Sequence, residues 1–366
     1  MGIDQLFGGI YNGKRVLITG HTGFKGSWLA FWLERMGAEV IGYALPPESV
    51  PNHYELIRPR LKSVFADIRE SEILEKTFIE TSPEIVFHLA AQPFVRRSYR
   101  EPLATFDTNI MGTARLLEAC RKTVSVRAVV VVTSDKCYEN KEWPWGYRET
   151  DPMGGLDPYS ASKGCVELLS GSWRNSFFPL QKYGITHRTL LATVRAGNVV
   201  GGGDWGEDRL VCDIIRAIYK KEKVEIRSPQ AIRPWQHVLE PLGGYLLLGR
   251  MLLEERTEYA EAWNFGPSEE SLWTVEQVVK AIKREWDAFS YIITPNTQCH
   301  EASLLRLDCS KARMRLNWSP VWDADTAFHK TARWYKTQYE TGHLFTEQDW
   351  EEYIGDARVA GASWMF

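Results

Sequence analysis

Short runs of Val, Ile and Leu alternate with amphipathic segments along the first half of the chain. Short buried strands separated by helical periodicity are typical of parallel βαβ units. The pattern predicts strands at Arg15–Thr19, Val40–Tyr43, Ser63–Phe65, Ile85–Leu89, Ala128–Thr133 and Thr189–Ala196. It predicts helices at Ser27–Met36, Ile73–Thr81, Leu103–Lys122 and Asp157–Phe178. We therefore expect an α/β fold with a doubly wound parallel sheet of the Rossmann type, whose ligand lies at the carboxyl ends of the strands.

The pattern changes after residue 196. A glycine-rich loop at 201–206 is followed by mixed, polar segments that carry ten of the 15 Trp residues. Helices are predicted up to about Lys221, at Val275–Trp286 and at Asp323–Gly342. We expect residues 1–196 with about 229–262 to form a dinucleotide-binding domain. Residues from about 197–228 and 263–366 would form a smaller, mixed α/β substrate-binding domain.

Composition and charge exclude several classes of function. The net charge of −3 gives no basic field for nucleic acid, and no apolar stretch approaches the length of a membrane helix. The six Cys contain no Cys-x-x-Cys pair and the eight His show no metal-ligand spacing, so we expect no metal. The start of the chain has no basic, apolar leader, and we expect a cytoplasmic protein.

A glycine-rich turn follows the first predicted strand. Gly20, Gly23 and Gly26 stand in a G-x-x-G-x-x-G pattern that also contains Thr22 and Phe24 and leads into a helix. A pyrophosphate needs such a tight turn, because it must approach backbone N–H groups at the positive end of a helix. The turn therefore predicts a dinucleotide site, although a tight βα turn without a ligand is the alternative.

Three more segments fit the same cofactor. Asp67 and Ile68 follow the third strand, where a carboxylate can accept the adenine amino group or, alternatively, cap the next helix. Leu89, Ala90 and Ala91 close the fourth strand with residues small enough for a flat ring to lie on the backbone. The second strand ends with neither an Arg for a 2′-phosphate nor an acid for a ribose hydroxyl. The missing Arg favours NAD over NADP, but the usual signature of NAD is missing too.

A Tyr-x-x-x-Lys pair provides the candidate chemistry. Tyr159 and Lys163 lie one helical turn apart on a predicted helix that begins at the carboxyl edge of the sheet. An ammonium beside a phenol lowers the phenol's pKa, which makes Tyr a usable base. The fifth strand ends nearby in Ser134, Asp135 and Lys136.

Together these motifs resemble the extended short-chain dehydrogenase/reductase enzymes that act on nucleotide sugars. The matching segments are TGHTGFKG, Asp67, HLAAQ, TSDKCY, YSASK, RAGNVVG and IRPWQHV, in the family's order over about residues 14–325. TSDKCY resembles the corresponding segment of the NAD-dependent 4,6-dehydratases. The dTDP-glucose enzymes typically carry Asp-Glu where this chain has Asp135-Lys136. That departure is similar to the CDP-glucose 4,6-dehydratases, which are lyases.

The resemblance implies roles for these residues. Tyr159, assisted by Ser134, would remove the proton of the sugar O4 hydroxyl while hydride leaves C4 for NAD. Asp135 is the candidate acid for the C6 hydroxyl, and Lys136 the candidate base for the C5 proton. A base must be neutral, and Asp135 stabilises the ammonium form of Lys136. The alternative is that Lys136 only polarises the keto oxygen.

The resemblance also implies a binding site for a CDP-hexose substrate. Arg233 matches the family's diphosphate-binding Arg, and Arg209 and Asn198 lie in segments that flank the diphosphate or sugar. Trp205 and Trp235 are candidate walls of the same cleft, while most other late Trp are expected in the core. For Arg209 the alternative is a surface charge.

The resemblance implies a homodimer, and a tetramer is a further possibility. The partner would pack on the helices Leu103–Lys122 and Asp157–Phe178, whose Leu116, Leu117, Leu168 and Leu169 face either the sheet or the partner. Three functional alternatives remain open: a dehydratase of a dTDP-, UDP- or GDP-sugar, a nucleotide-sugar 4-epimerase, and a non-catalytic dinucleotide sensor or scaffold.

Overall fold

The computed structural model describes residues 2–226, 228–268, 271–294 and 304–366. Its strands are β1 Arg15–Thr19, β2 Glu39–Ala44, β3 Lys62–Phe65, β4 Ile85–His88, β5 Ala128–Val132, β6 Leu190–Ala196, β7 Asn198–Val200, β8 Val224–Ile226, β9 Ile232–His237, β10 Ala262–Phe265, β11 Leu272–Thr274 and β12 Tyr291–Ile293. Its α-helices are α1 Phe24–Arg35, α2 His53–Ile57, α3 Ser71–Thr81, α4 Val95–Arg100, α5 Pro102–Phe106, α6 Gly112–Lys122, α7 Pro158–Ser176, α8 Leu210–Lys220, α9 Leu239–Leu253, α10 Val275–Glu285, α11 Ser310–Leu316, α12 Ala324–Thr341 and α13 Thr346–Val359.

The central sheet has seven parallel strands in the order β10-β6-β5-β4-β1-β2-β3. All five residues of β5 and all seven of β6 are buried, as expected when helices cover both faces of a parallel sheet. The predicted doubly wound α/β fold is confirmed, and each of the six predicted strands overlaps a strand of this sheet. Strand β10 was not predicted, because its four residues, Ala-Trp-Asn-Phe, show no strand periodicity and are ordered by pairing with β6.

The predicted helix Leu103–Lys122 is helical throughout but not uniform. Helices α5 and α6 are joined by a π-helical segment at Asp107–Met111. Asn109 in this segment is buried, accepts a hydrogen bond from the backbone of Gln92 and donates one to the side chain of Ser162. Such π segments are frequent at functional sites. The widened turn therefore joins the end of β4 to the helix that carries Tyr159.

Two hydrophobic clusters cover the two faces of the sheet. On one face α1, α9, α13 and the final residues pack together, and on the other α3, α6 and α7 do so. Leu116 and Leu117 are fully buried on the second face, whereas the side chain of Leu168 is 66% exposed and Leu169 packs at the margin. The first two leucines therefore face the sheet, and Leu168 faces away from it.

A third cluster forms a smaller unit beside the carboxyl ends of the strands. It combines α8, α10 and α12 with the three-stranded sheet β11-β9-β7 and the pair β12-β8. The expected domain boundaries stay a prediction. Residues beyond 345 pack against α1 of the main sheet, and the buried carboxylate of Glu240 in α9 accepts hydrogen bonds from the backbone of Val321 and Trp322.

The tryptophans of the second half serve mainly the interior. Trp364 is 1% exposed, stacks on Phe7 with ring centroids 5.3 Å apart and on Tyr353 at 5.8 Å, and meets Trp32 edge to face. These contacts fasten the end of the chain to its beginning. Among the described residues no helix is long and apolar enough to cross a bilayer.

We predict that Trp364→Ala lowers the free energy of unfolding by about 3 kcal/mol or more, because a large buried aromatic leaves a cavity. Phe366→Ala is the matched control, since Phe366 is 67% exposed, and it should change stability by less than about 0.5 kcal/mol. Urea denaturation curves measure both values. Equal effects of the two substitutions would contradict the fastening role of Trp364.

Candidate active site

One cleft of about 1020 Å³ opens at the carboxyl ends of the strands, between the main sheet and the smaller unit. All residues that the sequence predicts for the site line it: Gly20, Thr22, Gly23, Phe24, Gly26, Asp67, Ile68, Leu89, Ala90, Ala91, Ser134, Asp135, Lys136, Tyr159, Lys163, Asn198, Trp205, Arg209, Arg233 and Trp235. Tertiary structure thus brings the motifs together, while the roles of single residues stay predictions.

The glycine turn permits a backbone approach that other residues would block. Gly20 has φ +79°, and a Cβ there would lie 2.8 Å from the backbone nitrogen of Ala90. A Cβ on Gly26 would lie 2.1 Å from the carbonyl oxygen of Gly20. Gly23 is the N-cap of α1 and offers no side chain to its first-turn N–H groups. This turn therefore leaves a bare helix N-terminus facing the cleft, which fits the pyrophosphate of a dinucleotide.

The far end of the cleft has a carboxylate, but it does not cap a helix. Asp67 accepts hydrogen bonds from the backbone and guanidinium of Arg69, at 2.9 and 2.7 Å, and Arg69 lowers the pKa of this carboxyl. Helix α3 starts only at Ser71, with Glu70 as its N-cap. The cap alternative is therefore wrong, and Asp67 lines the cleft as a partnered carboxylate.

Helix α7 places the Tyr–Lys pair. Asp157 caps its N-terminus, Pro158 occupies the first turn, and Tyr159 and Lys163 follow, 8% and 5% exposed. The ammonium of Lys163 donates a hydrogen bond to the carbonyl of Val132, at the end of β5, over 3.2 Å. Burial lowers the pKa of Lys163 to about 8, against the opposite effect of Glu167. This hydrogen bond fixes helix α7 against the end of strand β5.

The phenol of Tyr159 departs from the expectation drawn from its lysine. Burial raises its pKa to about 12, although the hydrogen bond with Ser134 and the charge of Arg209 act to lower it. Desolvation therefore outweighs the stabilisation that the Tyr-x-x-x-Lys spacing predicts. Burial therefore favours the protonated phenol, and positive charge beside its oxygen would favour the phenolate that a base requires.

A single turn of 3-10 helix at Asp135–Cys137 follows β5 and carries Asp135 and Lys136. Ser134 caps it, accepting from the backbone of Lys136 and donating to Asp135 Oδ1 over 2.9 Å. The second carboxylate oxygen of Asp135 is buried and has no hydrogen-bond partner among the described residues. Burial raises the pKa of Asp135, although Lys136, Lys25 and Arg233 oppose this. A carboxyl in this state is suited to act as a proton donor.

The smaller unit supplies the opposite wall of the cleft. Asn198 starts β7 and pairs in register with Trp235 of β9. Arg233 lies on the same strand, and its guanidinium donates to the carbonyl of Ile232 over 2.8 Å. Arg209 is not a simple surface charge, because it forms an ion pair with the buried Asp204.

The two candidate tryptophans differ in their surroundings. Trp235 is 6% exposed and donates from its indole N–H to the carbonyl of Trp273 over 3.2 Å. Trp205 is half-buried and meets Trp334 and Tyr335 edge to face. Both border the cleft, and both also belong to the packing of the smaller unit.

Sequence reasoning missed several residues of the cleft. Lys25, inside the glycine turn, lines it, and burial lowers the pKa of Lys25 to about 8. Its position between the second and third glycines is the signal that was available. Asp204 and Glu225 also line the cleft, but neither belongs to a motif that identifies it. No group of three or more His, Cys, Asp or Glu suited to a metal ion occurs within the described ranges.

Comparison with known proteins gives the class of this fold and cleft. The family model for GDP-mannose 4,6 dehydratase matches residues 17–331, and the chain belongs to that family. A curated relative, the CDP-glucose 4,6-dehydratase of Salmonella typhimurium, is 51% identical over 337 residues, covering 91% of this chain and 93% of the relative. The resemblance inferred from the motifs is confirmed.

Solved structures agree in fold. The UDP-glucose 4-epimerase of Thermotoga maritima, with UDP-glucose, has a TM-score of 0.76 at 24% identity and covers 89% of this chain and 100% of its own. The dTDP-glucose 4,6-dehydratase of Streptomyces venezuelae, with NAD bound, has a TM-score of 0.75 at 22% identity, with 90% and 98% covered. At these identities the likeness concerns the fold alone.

We predict that Gly26→Ala weakens dinucleotide binding by about 10-fold or more, because its Cβ would displace the carbonyl of Gly20 from the turn. Calorimetric titration with NAD measures the affinity. The control is Gly171→Ala in α7, where a Cβ meets nothing within 4 Å. Unchanged affinity in the Gly26 variant would place the pyrophosphate elsewhere.

Proposed function

We propose that this protein is an NAD-dependent lyase that converts CDP-glucose to CDP-4-keto-6-deoxyglucose and water. The observation that carries the proposal is the placement of Ser134, Asp135 and Lys136 beside Tyr159 in one buried cleft. A candidate acid, Asp135, and a candidate base, Lys136 as its neutral amine, beside the Tyr–Lys pair suit elimination of water. The 51% identity to the CDP-glucose 4,6-dehydratase of Salmonella typhimurium supports cytosine as the base of the nucleotide.

The first step is oxidation at C4 of the sugar. Tyr159 acts as its phenolate, which takes the proton of the O4 hydroxyl, and Ser134 beside it favours that anion. When bound, NAD supplies an acceptor for the C4 hydride and a donor that returns it to the same sugar. Gly20, Gly23 and Gly26 would hold its pyrophosphate and Asp67 its adenosine end. Lys163, on the Tyr159 face of α7, supplies positive charge to the developing phenolate.

The second step is elimination across C5 and C6. The new 4-keto group acidifies the C5 proton, Lys136 removes it, and Asp135 protonates the departing C6 hydroxyl. The hydride then goes to C6 and a proton returns to C5, so one water leaves and no net oxidation occurs. The raised pKa of Asp135 supports its role as the acid. For Lys136 the alternative role is to polarise the keto oxygen.

The substrate's diphosphate needs cations on the wall opposite the sheet. Arg233 is our candidate for a direct contact, since a guanidinium fork suits phosphate oxygens. Arg209 and Asn198 would flank it, with Asp204 holding the Arg209 side chain in place. Trp205 and Trp235 would close the cleft on this side.

We also propose a homodimer that packs through α7 and the helical stretch from α5 to α6. Large apolar residues are exposed there: Leu103 of α5 is 82% exposed, Leu168 of α7 is 66% exposed, and Phe177, directly after α7, is 43% exposed. Leu116 and Leu117 are excluded from this contact because they face the sheet. A tetramer would require a further surface. We assign the reaction to the cytoplasm and to deoxysugar synthesis of the O-antigen or lipopolysaccharide type.

The proposal predicts that the purified protein turns over CDP-glucose in preference to dTDP-, UDP- and GDP-glucose. Mass spectrometry should show the loss of one water, and alkali should develop the near-ultraviolet absorbance of a 4-keto-6-deoxy sugar. Formation of CDP-galactose would instead show a 4-epimerase. An unchanged sugar in all four assays would favour a non-catalytic dinucleotide sensor.

We predict that Lys136→Met lowers kcat by about 100-fold and abolishes exchange of C5 with solvent deuterium, while oxidation at C4 still occurs. Exchange is followed by NMR of the sugar in deuterium oxide. The control is Lys141→Met, because Lys141 is an exposed lysine five residues further along the chain and does not line the cleft. This variant should behave like the wild type. Continued exchange at C5 in the Lys136 variant would assign it the electrostatic role.

A further inference from the structure

A buried ion pair lies directly beneath the catalytic residues. Arg195 of β6 and Glu167 of α7 form two parallel hydrogen bonds, Nε to Oε1 and Nη2 to Oε2, each 2.9 Å long. Their side chains are only 3% and 4% exposed. Glu167 follows Lys163 by one helical turn on the same face of α7. The pair is therefore part of the scaffold on which Tyr159 and Lys163 stand.

The two residues of this pair bind the two ends of the segment 133–138, which carries Ser134, Asp135 and Lys136. Glu167 accepts a short hydrogen bond from the hydroxyl of Thr133, the residue before Ser134. Arg195 donates to the phenol oxygen of Tyr138 over 2.5 Å, just after the 3-10 turn that carries Asp135 and Lys136. One ion pair thus connects strand β6, helix α7 and the 3-10 turn Asp135–Cys137.

The contacts around the pair leave it little freedom to move. Thr193 of β6 donates to Glu167 Oε2 over 2.7 Å. Tyr138 donates onward to Asn264 Oδ1 of β10 over 2.8 Å, and its ring lies under the Arg195 guanidinium at 4.8 Å. Both carboxylate oxygens and the phenol are therefore satisfied, which is the condition for a buried pair to fix a conformation.

We propose that the Glu167–Arg195 pair is a positioning element for the proposed dehydratase reaction: it clamps the segment 133–138 against Tyr159 and balances the charge beneath Lys163. Neither residue touches the cleft, so both act through others. The inference rests on the proposed function for its kinetic part only, because the charge on Lys163 is measurable without substrate.

The charge part depends on every ionisable group that faces Lys163. Glu167 and Cys137 raise its pKa, while burial lowers it to about 8. The charge of Lys163 in turn acts on Lys25 of α1 and His88 of β4. Glu167 itself faces the charges of Arg195 and of Arg174 on its own helix, and the thiol of Cys137, whose pKa is raised by burial. Among these groups Glu167 is the carboxylate, so its removal favours the neutral amine.

The first test is Glu167→Gln, which keeps the shape and removes the charge. We expect the pKa of Lys163 to fall by about one unit, because a nearby anion no longer stabilises the ammonium. NMR titration of protein labelled with 13C at the lysine Cε reports it, with Lys163→Met identifying the signal. Glu240→Gln is the control for substitution of a buried carboxyl far from Lys163, since Glu240 of α9 accepts from the 321–322 backbone and from Tyr353 instead.

The second test is Arg195→Lys, which keeps the positive charge but loses the two parallel hydrogen bonds of the guanidinium to Glu167. A lysine cannot hold both oxygens of Glu167 and Tyr138 at once, so the segment 133–138 loses its alignment. We expect kcat to fall by about 10- to 100-fold with KM for CDP-glucose and bound NAD unchanged, and the pKa of Lys163 to stay near 8.

The outcomes separate the two parts of the proposal. An unchanged pKa of Lys163 in Glu167→Gln overturns the charge role, whether or not CDP-glucose is turned over. Wild-type kcat in Arg195→Lys overturns the clamp. If Glu167→Gln fails to fold, Glu167→Gln with Arg195→Met removes both charges of the pair. Because Glu167 acts on the pKa of Lys163, we expect that pKa still to fall, and an unchanged pKa in the double variant overturns the charge role. A wild type that turns over none of the sugars contradicts the proposed function and leaves the NMR result decisive.

Discussion

The active-site cleft depends on the way β1 sits between β2 and β4. Both neighbours are parallel to β1, yet the helix that follows β1 covers one face of the sheet and the helices that follow β4 cover the other. The segments that leave the carboxyl ends of β1 and β4 therefore run to opposite faces of the sheet. A crevice is left between them, as at other topological switch points. Gly20 turns at the floor of this crevice, and its lack of a Cβ permits the backbone of Ala90 to lie against it. The remaining site residues extend outward from this point.

Charge is arranged around the crevice in a consistent way. Basic and acidic side chains both line the cleft, and Lys25, Lys163, Arg209 and Arg233 are among the basic ones. Burial makes each ammonium costly, which is why the pKa values of Lys25 and Lys163 are lowered to about 8. Carboxylates offset part of the cost of burying positive charge: Asp204, in the cleft wall, pairs with Arg209, and Glu167, behind the cleft, acts on Lys163. A diphosphate and a developing phenolate are the kinds of anion that such a surface can accept.

Much of the fold and most of the site follow from local patterns. The six predicted strands overlap strands of the sheet, and the predicted site residues share one cleft, because parallel strand ends meet at the same edge. The cap alternative for Asp67 failed for a local reason, because Asp67 binds Arg69 and Glu70 takes the N-cap position of α3. The other failures depended on partners distant in the chain. Strand β10 exists through its pairing with β6. Residues beyond 345 lie against α1, more than 300 positions earlier, which no periodicity indicates.

The sequence by itself determined the alternation of strands and helices, the glycine turn, the Tyr159–Lys163 pair and the Asp135–Lys136 pair, because each is set by spacing within a few residues. Only the tertiary structure decided the pKa values of Tyr159 and Lys163. The pKa of Tyr159 is about 12 since the phenol is desolvated by elements from across the chain, and Lys163 sits near 8 for the same reason. Burial depends on all the neighbours that folding brings around a group. A motif therefore identifies the candidate groups, and the fold sets their pKa values.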